Sequence, residues 1–396
     1  MIYADLIMQS RPWEQLMAAR QSDRLAHAYL FHGPPGVGKE AHAIELAAVV
    51  NCKRPQTTGA CGTCDSCRKM ATLQHPDVQI VVPLPRRNPI GKSDPPLKAL
   101  KPVDIEELAL QLGRKGSDPY AKIALDGAQS ILINSVRELR RLAALKSAEG
   151  GRRVILIFDA ERLNHPGPAA ANALLKLLEE PPPDTVIVLV TARPNLLLET
   201  LRSRCVALYF PALAADEAAS YLTGKFGVDR ETAMMVVQAT AGNLQLARSL
   251  LASNPDGNLT RLVDELLEGL LQPRPQKWQQ LVADLVGMNR QNKAELGFRL
   301  HLLQLWLRDL MLLAQVDAAA GLVFEERRDE LLAQLAGFPQ AEWGMATGFV
   351  EDALSMLERN INPTLVFTNM FLDIRQAMRG REPAGAGVLV QVGHAV

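Results

Sequence analysis

The sequence predicts an α/β fold: a parallel sheet of the P-loop NTPase type, a zinc module inserted into it, and a long all-α C-terminal part. Three observations carry that prediction. Residues 33–40 read Gly-Pro-Pro-Gly-Val-Gly-Lys-Glu, between a short apolar run at 28–31 and a helix-like run at 41–50. Further apolar runs of strand length recur at 77–83, 153–160, 185–190 and 206–210, separated by helical patterns, which is the alternation of a parallel α/β sheet. Beyond residue 258 the chain turns to leucine-rich helical periodicity.

Strand, glycine-rich turn and helix is the context a phosphate-binding loop needs. Its amides cradle phosphates, a lysine reaches the outer ones, and the helix N-terminus favours the anion. Gly33, Gly36, Gly38 and Lys39 supply the loop. The pattern G-x-x-x-x-G-K-[ST] fails at its last place, where Glu40 replaces the hydroxyl that would hold magnesium. The run at 153–160 ends in Asp159, so a buried strand delivers a carboxylate to the same site. A working ATPase usually has Glu next, to orient water; here it is Ala160, and strand alternation would aim Glu161 elsewhere. The loop still has what it needs to hold a phosphate or a nucleotide without hydrolysing it.

Cys52, Cys61, Cys64 and Cys67 are spaced C-x8-C-x2-C-x2-C. Two overlapping C-x-x-C pairs suit thiolates converging on one tetrahedral ion, so a structural zinc site is favoured over unpaired thiols or a redox pair. Composition narrows the function classes. Lys and Arg total 43, as do Asp and Glu, so the chain is not a globally basic nucleic-acid binder, although a local patch remains open. No signal peptide is visible, and the apolar runs are far shorter than a membrane span, so a cytoplasmic protein is expected. The leucine-rich stretch 298–314 is interrupted by Arg299, His301, Arg308 and Asp309, as in a buried helix.

In chain order, Trp13, Leu16 and Met17 share helical spacing and predict a helix on the edge of the fold. Residues 77–83 predict a buried strand. Segment 84–122, rich in Pro, Lys and Arg, reads as a solvated surface loop rather than a basic contact to DNA or a partner. An amphipathic helix is expected over 131–145. Another follows over 170–180, where Ala171, Leu174, Leu175 and Leu178 share a face and Pro181 to Pro183 stop it.

At Asn172-Ala-Leu-Leu-Lys, Glu179-Glu-Pro-Pro and Leu201-Arg-Ser-Arg-Cys205 the chain resembles the bacterial DNA polymerase III clamp-loader subunits, members of the AAA+ family. The resemblance covers about the first 250 residues with specific motifs and the remainder by helical character alone. It implies an AAA+ sheet domain with a zinc module at 52–67, spanning 1–211. It further implies a helical lid over 212–255, a helical collar over 256–380 and a flexible tail over 381–396, with 252–258 as a linker.

The family's ATPase, gamma/tau, carries Lys-Ser or Lys-Thr, Asp-Glu, and an Arg in the lid motif. This chain has Lys39-Glu40, Asp159-Ala160 and, in Gly242-Asn243-Leu244-Gln245, a Gln. The departures point to the delta-prime branch, which keeps the fold and need not turn over ATP. By resemblance Arg204 reaches the ATP site of a neighbouring subunit in trans; the plainer reading is a surface ion pair. The implied partners are gamma/tau and delta subunits, with the sliding clamp and primer-template DNA met through the complex. The competing readings are a gamma/tau-type ATPase and a zinc-dependent DNA-binding module.

Overall fold

A computed structural model describes residues 1–143, 147–253, 259–271, 275–291, 293–315, 321–359 and 361–380. The chain divides into two compact units, 1–221 with 242–245, and 222–241 with the chain from 246 onward.

The first unit is built on five parallel strands: β1 (Ala28–His32), β2 (Val78–Val81), β3 (Arg153–Ile157), β4 (Thr185–Thr191) and β5 (Val206–Tyr209), in the order β2-β3-β4-β1-β5. The three central strands are buried on both faces, and their sequences are accordingly continuous apolar runs rather than alternating ones. Around them lie α1 (Ser10–Gln21), α2 (Lys39–Asn51), α3 (Asp65–Ala71), α4 (Pro102–Ser117), α5 (Ile133–Ala143), α6 (Ala169–Glu179) and α7 (Glu199–Arg202). On one face Leu30, Ile155, Ile157, Ile187 and Leu189 pack with Val136 and Leu139 of α5 and Leu174, Leu177 and Leu178 of α6. Against β1, β3 and β4 lies α2, which is almost wholly buried, with the polar Lys39, His42 and Glu45 among its buried residues.

Several sequence expectations are altered. β2 is an edge strand and half-buried, not a buried one, because only β3 pairs with it. The segment 84–122 is not a plain surface loop. Its second half is α4, begun by Pro102 at the first helical position and by the Asp104 carboxylate, which accepts the Lys101 N–H at 2.9 Å. The Pro-, Lys- and Arg-rich flanks hid a start signal that was present in the sequence. β3 ends at Ile157 and Asp159 adopts a left-handed backbone (φ 48°), so strand alternation does not decide where Glu161 points. Glu161 instead accepts the Thr191 hydroxyl at 2.6 Å. The helix expected over 131–145 is α5, which begins at Ile133; residues 144 and 145 lie outside the described residues.

The second unit is helical. α8 (Ala215–Phe226) enters it, followed by α9 (Arg230–Ala239), α10 (Leu244–Ser253), α11 (Leu259–Leu271), α12 (Pro275–Gln291), α13 (Lys293–Gln315), α14 (Arg328–Gly337), α15 (Trp343–Glu358) and α16 (Pro363–Met378). The long α13 is the hub and meets α9, α11, α12, α14 and α15. Its Trp306 is fully buried, donates its indole N–H to Gln334, and carries the Arg327 guanidinium 4.6 Å from its ring centre. Asp309, one of the charges interrupting this leucine-rich stretch, is wholly buried. It accepts the backbone N–H groups of Val323 and Phe324 at 2.8 and 2.9 Å, which is how a charged residue is accommodated in such a helix. Of the expected linker 252–258, the first two residues end α10 and 254–258 lie outside the described residues, as does the tail 381–396. No described helix is long and apolar enough to cross a membrane.

Candidate functional site

The loop after β1 takes its shape from its glycines. Gly33 has a backbone φ of 141°, and a Cβ there would lie 2.0 Å from the Phe210 carbonyl oxygen. Gly36, at φ 71°, would clash with the Asn243 side chain. No other residue fits either place. Lys39 opens α2, yet its ammonium turns back into its own loop and donates to the carbonyls of Gly33, at 2.8 Å, and Pro34. Burial lowers Lys39 to about 8.

Gly36, Gly38, Lys39, Asp159 and Thr191 line one small cavity together with Gln245, the residue standing where the lid arginine was expected. Gly33 lies behind it as an acceptor for Lys39. The residues named from the sequence are thus brought together around one cavity, and the protein's own charges fill the space between them. Glu40 is paired twice, with Lys115 at 2.9 Å and Lys122 at 2.8 Å. Lys122 also reaches Asp159 at 2.5 Å. Lys115, from the end of α4, is fully buried and further donates to the carbonyls of Pro119 and Ala121.

Burial on its own would raise the Glu40 carboxyl, but the two ammonium groups overcome it and hold Glu40 at about 2. Burial would likewise lower Lys122, and Glu40 and Asp159 instead raise it above its ordinary value. Lys115, the deeper of the two, is lowered by burial despite Glu40. The remaining cavity is about 70 Å³, against the roughly 300–1,000 Å³ of ordinary ligand pockets. The residues present therefore do not fit a magnesium nucleotide: its carboxylate and its loop lysine are already satisfied.

Sequence reasoning missed Lys115 and Lys122. Both lie in the segment read as a loop, and their abundance of basic neighbours gave no reason to single them out. The one available signal was Glu40 itself, a carboxylate in a buried helix start that needed cations. Beneath it, His42 is wholly buried, donates from Nδ1 to the Gly38 carbonyl at 2.8 Å, and accepts the Gln9 N–H at Nε2. Burial lowers it to about 4, so it is neutral at pH 7.

The four cysteines converge as their spacing predicts. Sγ separations are 3.9 Å for Cys52 and Cys64, 3.8 Å for Cys61 and Cys67, and 3.6 Å for Cys52 and Cys67, and all four lie within 4.8 Å of one another. Thiolates bound at about 2.3 Å to the corners of a tetrahedron stand about 3.8 Å apart, so the donor set fits a four-coordinate metal ion. The Cys61 N–H donates to Cys52 Sγ and the Cys64 N–H to Cys61 Sγ, contacts that favour thiolates. None of the four is in a disulfide. Hydrogen bonds from the Thr63 and Cys64 region pull Cys61 down to about 5. The fifth, Cys205, is half-buried and apart; burial pushes its thiol up to about 12, which leaves it unreactive.

Arg204 does not join the cavity. It follows α7, half-exposed, pairing with Glu179 at 2.8 Å and donating to the Thr200 carbonyl at 3.0 Å. Next to it the edge strand β5 presents Val206 and Tyr209 to solvent.

The sequence matches the family described as DNA polymerase III, delta subunit, over residues 8–214, more than half of the chain. It is 32% identical over 237 residues to a DNA polymerase III subunit delta-prime of Pseudomonas aeruginosa, covering 59% of each chain. It is 27% identical to that of Escherichia coli over 98% of this chain and the whole of the other. A gamma-subunit-related protein of Thermotoga maritima aligns over 92% of the chain at 18% identity and a TM-score of 0.39, a likeness too distant to place any side chain.

Proposed function

Because the chain belongs to the DNA polymerase III delta-subunit family, among its delta-prime members, we propose that it serves as the stator of a bacterial clamp loader, with little or no ATPase of its own. The observation that carries this reading is the divorce between the chain's phosphate loop and its motif arginine. The loop has no hydroxyl for magnesium, no Glu after Asp159, and its lysine is engaged with its own carbonyls. Arg204 stands outside that cavity, half-exposed on a short solvent-facing turn, held there by Glu179 and Thr200. An arginine so placed serves a site on another subunit better than its own.

In this reading Arg204 supplies a planar charge to the phosphoryl group transferred in a neighbouring gamma/tau subunit. The first 211 residues form the nucleotide-fold domain, 212–255 a lid and 256–380 a collar that joins gamma/tau and delta. The loaded sliding clamp and primer-template DNA are met through the complex in the cytoplasm. Cys52, Cys61, Cys64 and Cys67 hold a structural zinc ion, which four thiolates prefer and which supplies no open coordination position for chemistry.

The test is the DNA-stimulated ATPase of a reconstituted complex carrying Arg204→Ala. Assembly should persist while turnover falls on the order of 10³-fold at the site it serves. Unchanged turnover would remove the trans role, and ATP hydrolysis by the isolated wild-type chain would remove the stator reading altogether.

A further inference from the structure

We propose that the segment 84–122 carries a built-in replacement for the metal ion of the phosphate loop. The Lys122 ammonium bridges Glu40 and Asp159, Lys115 closes Glu40 from the buried side, and the loop so locked excludes magnesium nucleotide. This deepens the reading of a chain without ATPase activity, by naming what keeps nucleotide out.

The geometry supports it at each contact. Glu40 and Asp159 occupy the two sequence positions from which a P-loop fold contacts its metal, one at the start of α2 and one after β3. A single nitrogen, Lys122 Nζ, lies 2.8 Å from the first carboxylate and 2.5 Å from the second. A divalent ion bridging those oxygens would have to displace it. Lys115 is anchored by three acceptors, the Glu40 carboxylate and the carbonyls of Pro119 and Ala121, all within 2.9 Å. Its own backbone carbonyl accepts the Tyr3 hydroxyl at 2.7 Å. Tyr120, between the two lysines, accepts the Ile7 N–H, so this stretch is fastened to the N-terminal segment as well as to the loop.

Three ammonium groups therefore face two carboxylates around the cavity, and both carboxylates are satisfied without any ligand. Glu40 alone did not disable the loop. Replacing it by the missing hydroxyl leaves Lys122 on Asp159 and strips the buried Lys115 of its ion-pair partner, so the loss must be reversed as a unit.

The experiment is calorimetric titration of the full chain with Mg-ATP and Mg-ADP, alongside ATP turnover. Wild type and Glu40→Thr should show no binding at millimolar nucleotide. The combined variant Glu40→Thr, Lys115→Met, Lys122→Ala should bind at least tenfold more tightly, and Lys39→Ala in that background should abolish the gain. If wild type binds nucleotide through Lys39 without hydrolysing it, the lock is wrong and the stator reading stands; if wild type hydrolyses ATP, both fall. A folded combined variant that still binds nothing also overturns the lock.

Should that variant fail to fold, a stability cycle on Glu40→Gln and Lys122→Met decides. The double variant should lose less stability than the two single losses added together, since the Glu40–Lys122 contact can be lost only once while Lys122 keeps Asp159 in the Glu40→Gln variant; fully additive losses would mean that the two residues do not act together.

Discussion

The cysteine cluster and the phosphate loop read alike in the sequence, as two places for an ion in one unit, and they differ in what they still lack. The cysteines bring four sulfurs to a common centre, and their separations are those of thiolates at the corners of a tetrahedron around a metal ion. The loop brings two carboxylates to a common centre that already holds the ammonium of Lys122, with that of Lys115 behind it. An ion site is recognised by unmet charge as much as by donor spacing. By that measure the first is open to a metal and the second is closed.

The largest effect expected from breaking this contrast is at the cysteines. Chelation of the zinc ion proposed for this site, or Cys67→Ser at the most buried sulfur, should cost at least about 4 kcal/mol, because binding free energy at such sites is folding free energy. Elemental analysis and denaturant unfolding of the purified chain check this; full stability in a metal-free preparation would put the two sites on the same footing. Next, Glu40→Gln should cost about 3–5 kcal/mol, since it leaves Lys115 as an uncompensated buried charge. A loss as small as that of a surface pair would mean the loop is not closed by its charges.

A third effect is pH-dependent. His42 is held at about 4 by burial, below its ordinary 6.5, so the unfolded chain binds its proton first as the pH falls. Stability should drop between pH 6.5 and 4, by on the order of 3 kcal/mol in all. Glu40, held at about 2 rather than 4.5, then withdraws its contribution from pH 4.5 downward. Denaturant unfolding across that range, with His42→Leu flattening the first step, is the check; an unaltered slope in the variant would assign the step to another group. The smallest effect on stability is at Arg204. Its half-exposed pair with Glu179 should contribute under about 1 kcal/mol, so Arg204→Ala should leave the melting curve nearly in place.

Legibility varied for physical reasons that particular residues illustrate. Gly33, Gly36, Gly38 and Lys39 could be named because a tight loop at a helix start admits few residue types. Asp159 could be named because it follows an apolar run of strand length, although the strand itself stops at Ile157. The helix α4 could not be separated from its surroundings: Pro102 and Asp104 mark its start, but Val103, Ile105 and Leu110 stay exposed, so no clean apolar stripe announced it. Asp309 read as an interruption and proved to be a buried acceptor for two backbone amides. Arg204 was legible as a motif residue, while its Glu179 partner, 25 positions upstream, was not.

What the sequence determined by itself was local: the strand-loop-helix at 28–50, the cysteine spacing, the order of strands and helices, and the departures from the ATPase pattern at Glu40, Ala160 and Gln245. Each depends on residues close together in the chain, where period, spacing and turn chemistry act. What only the tertiary structure decided was the fate of those departures. Lys115 and Lys122 come to Glu40 from more than 70 residues away. An ion pair is selected by distance in space and by the dielectric around it, and neither is written in the order of the chain.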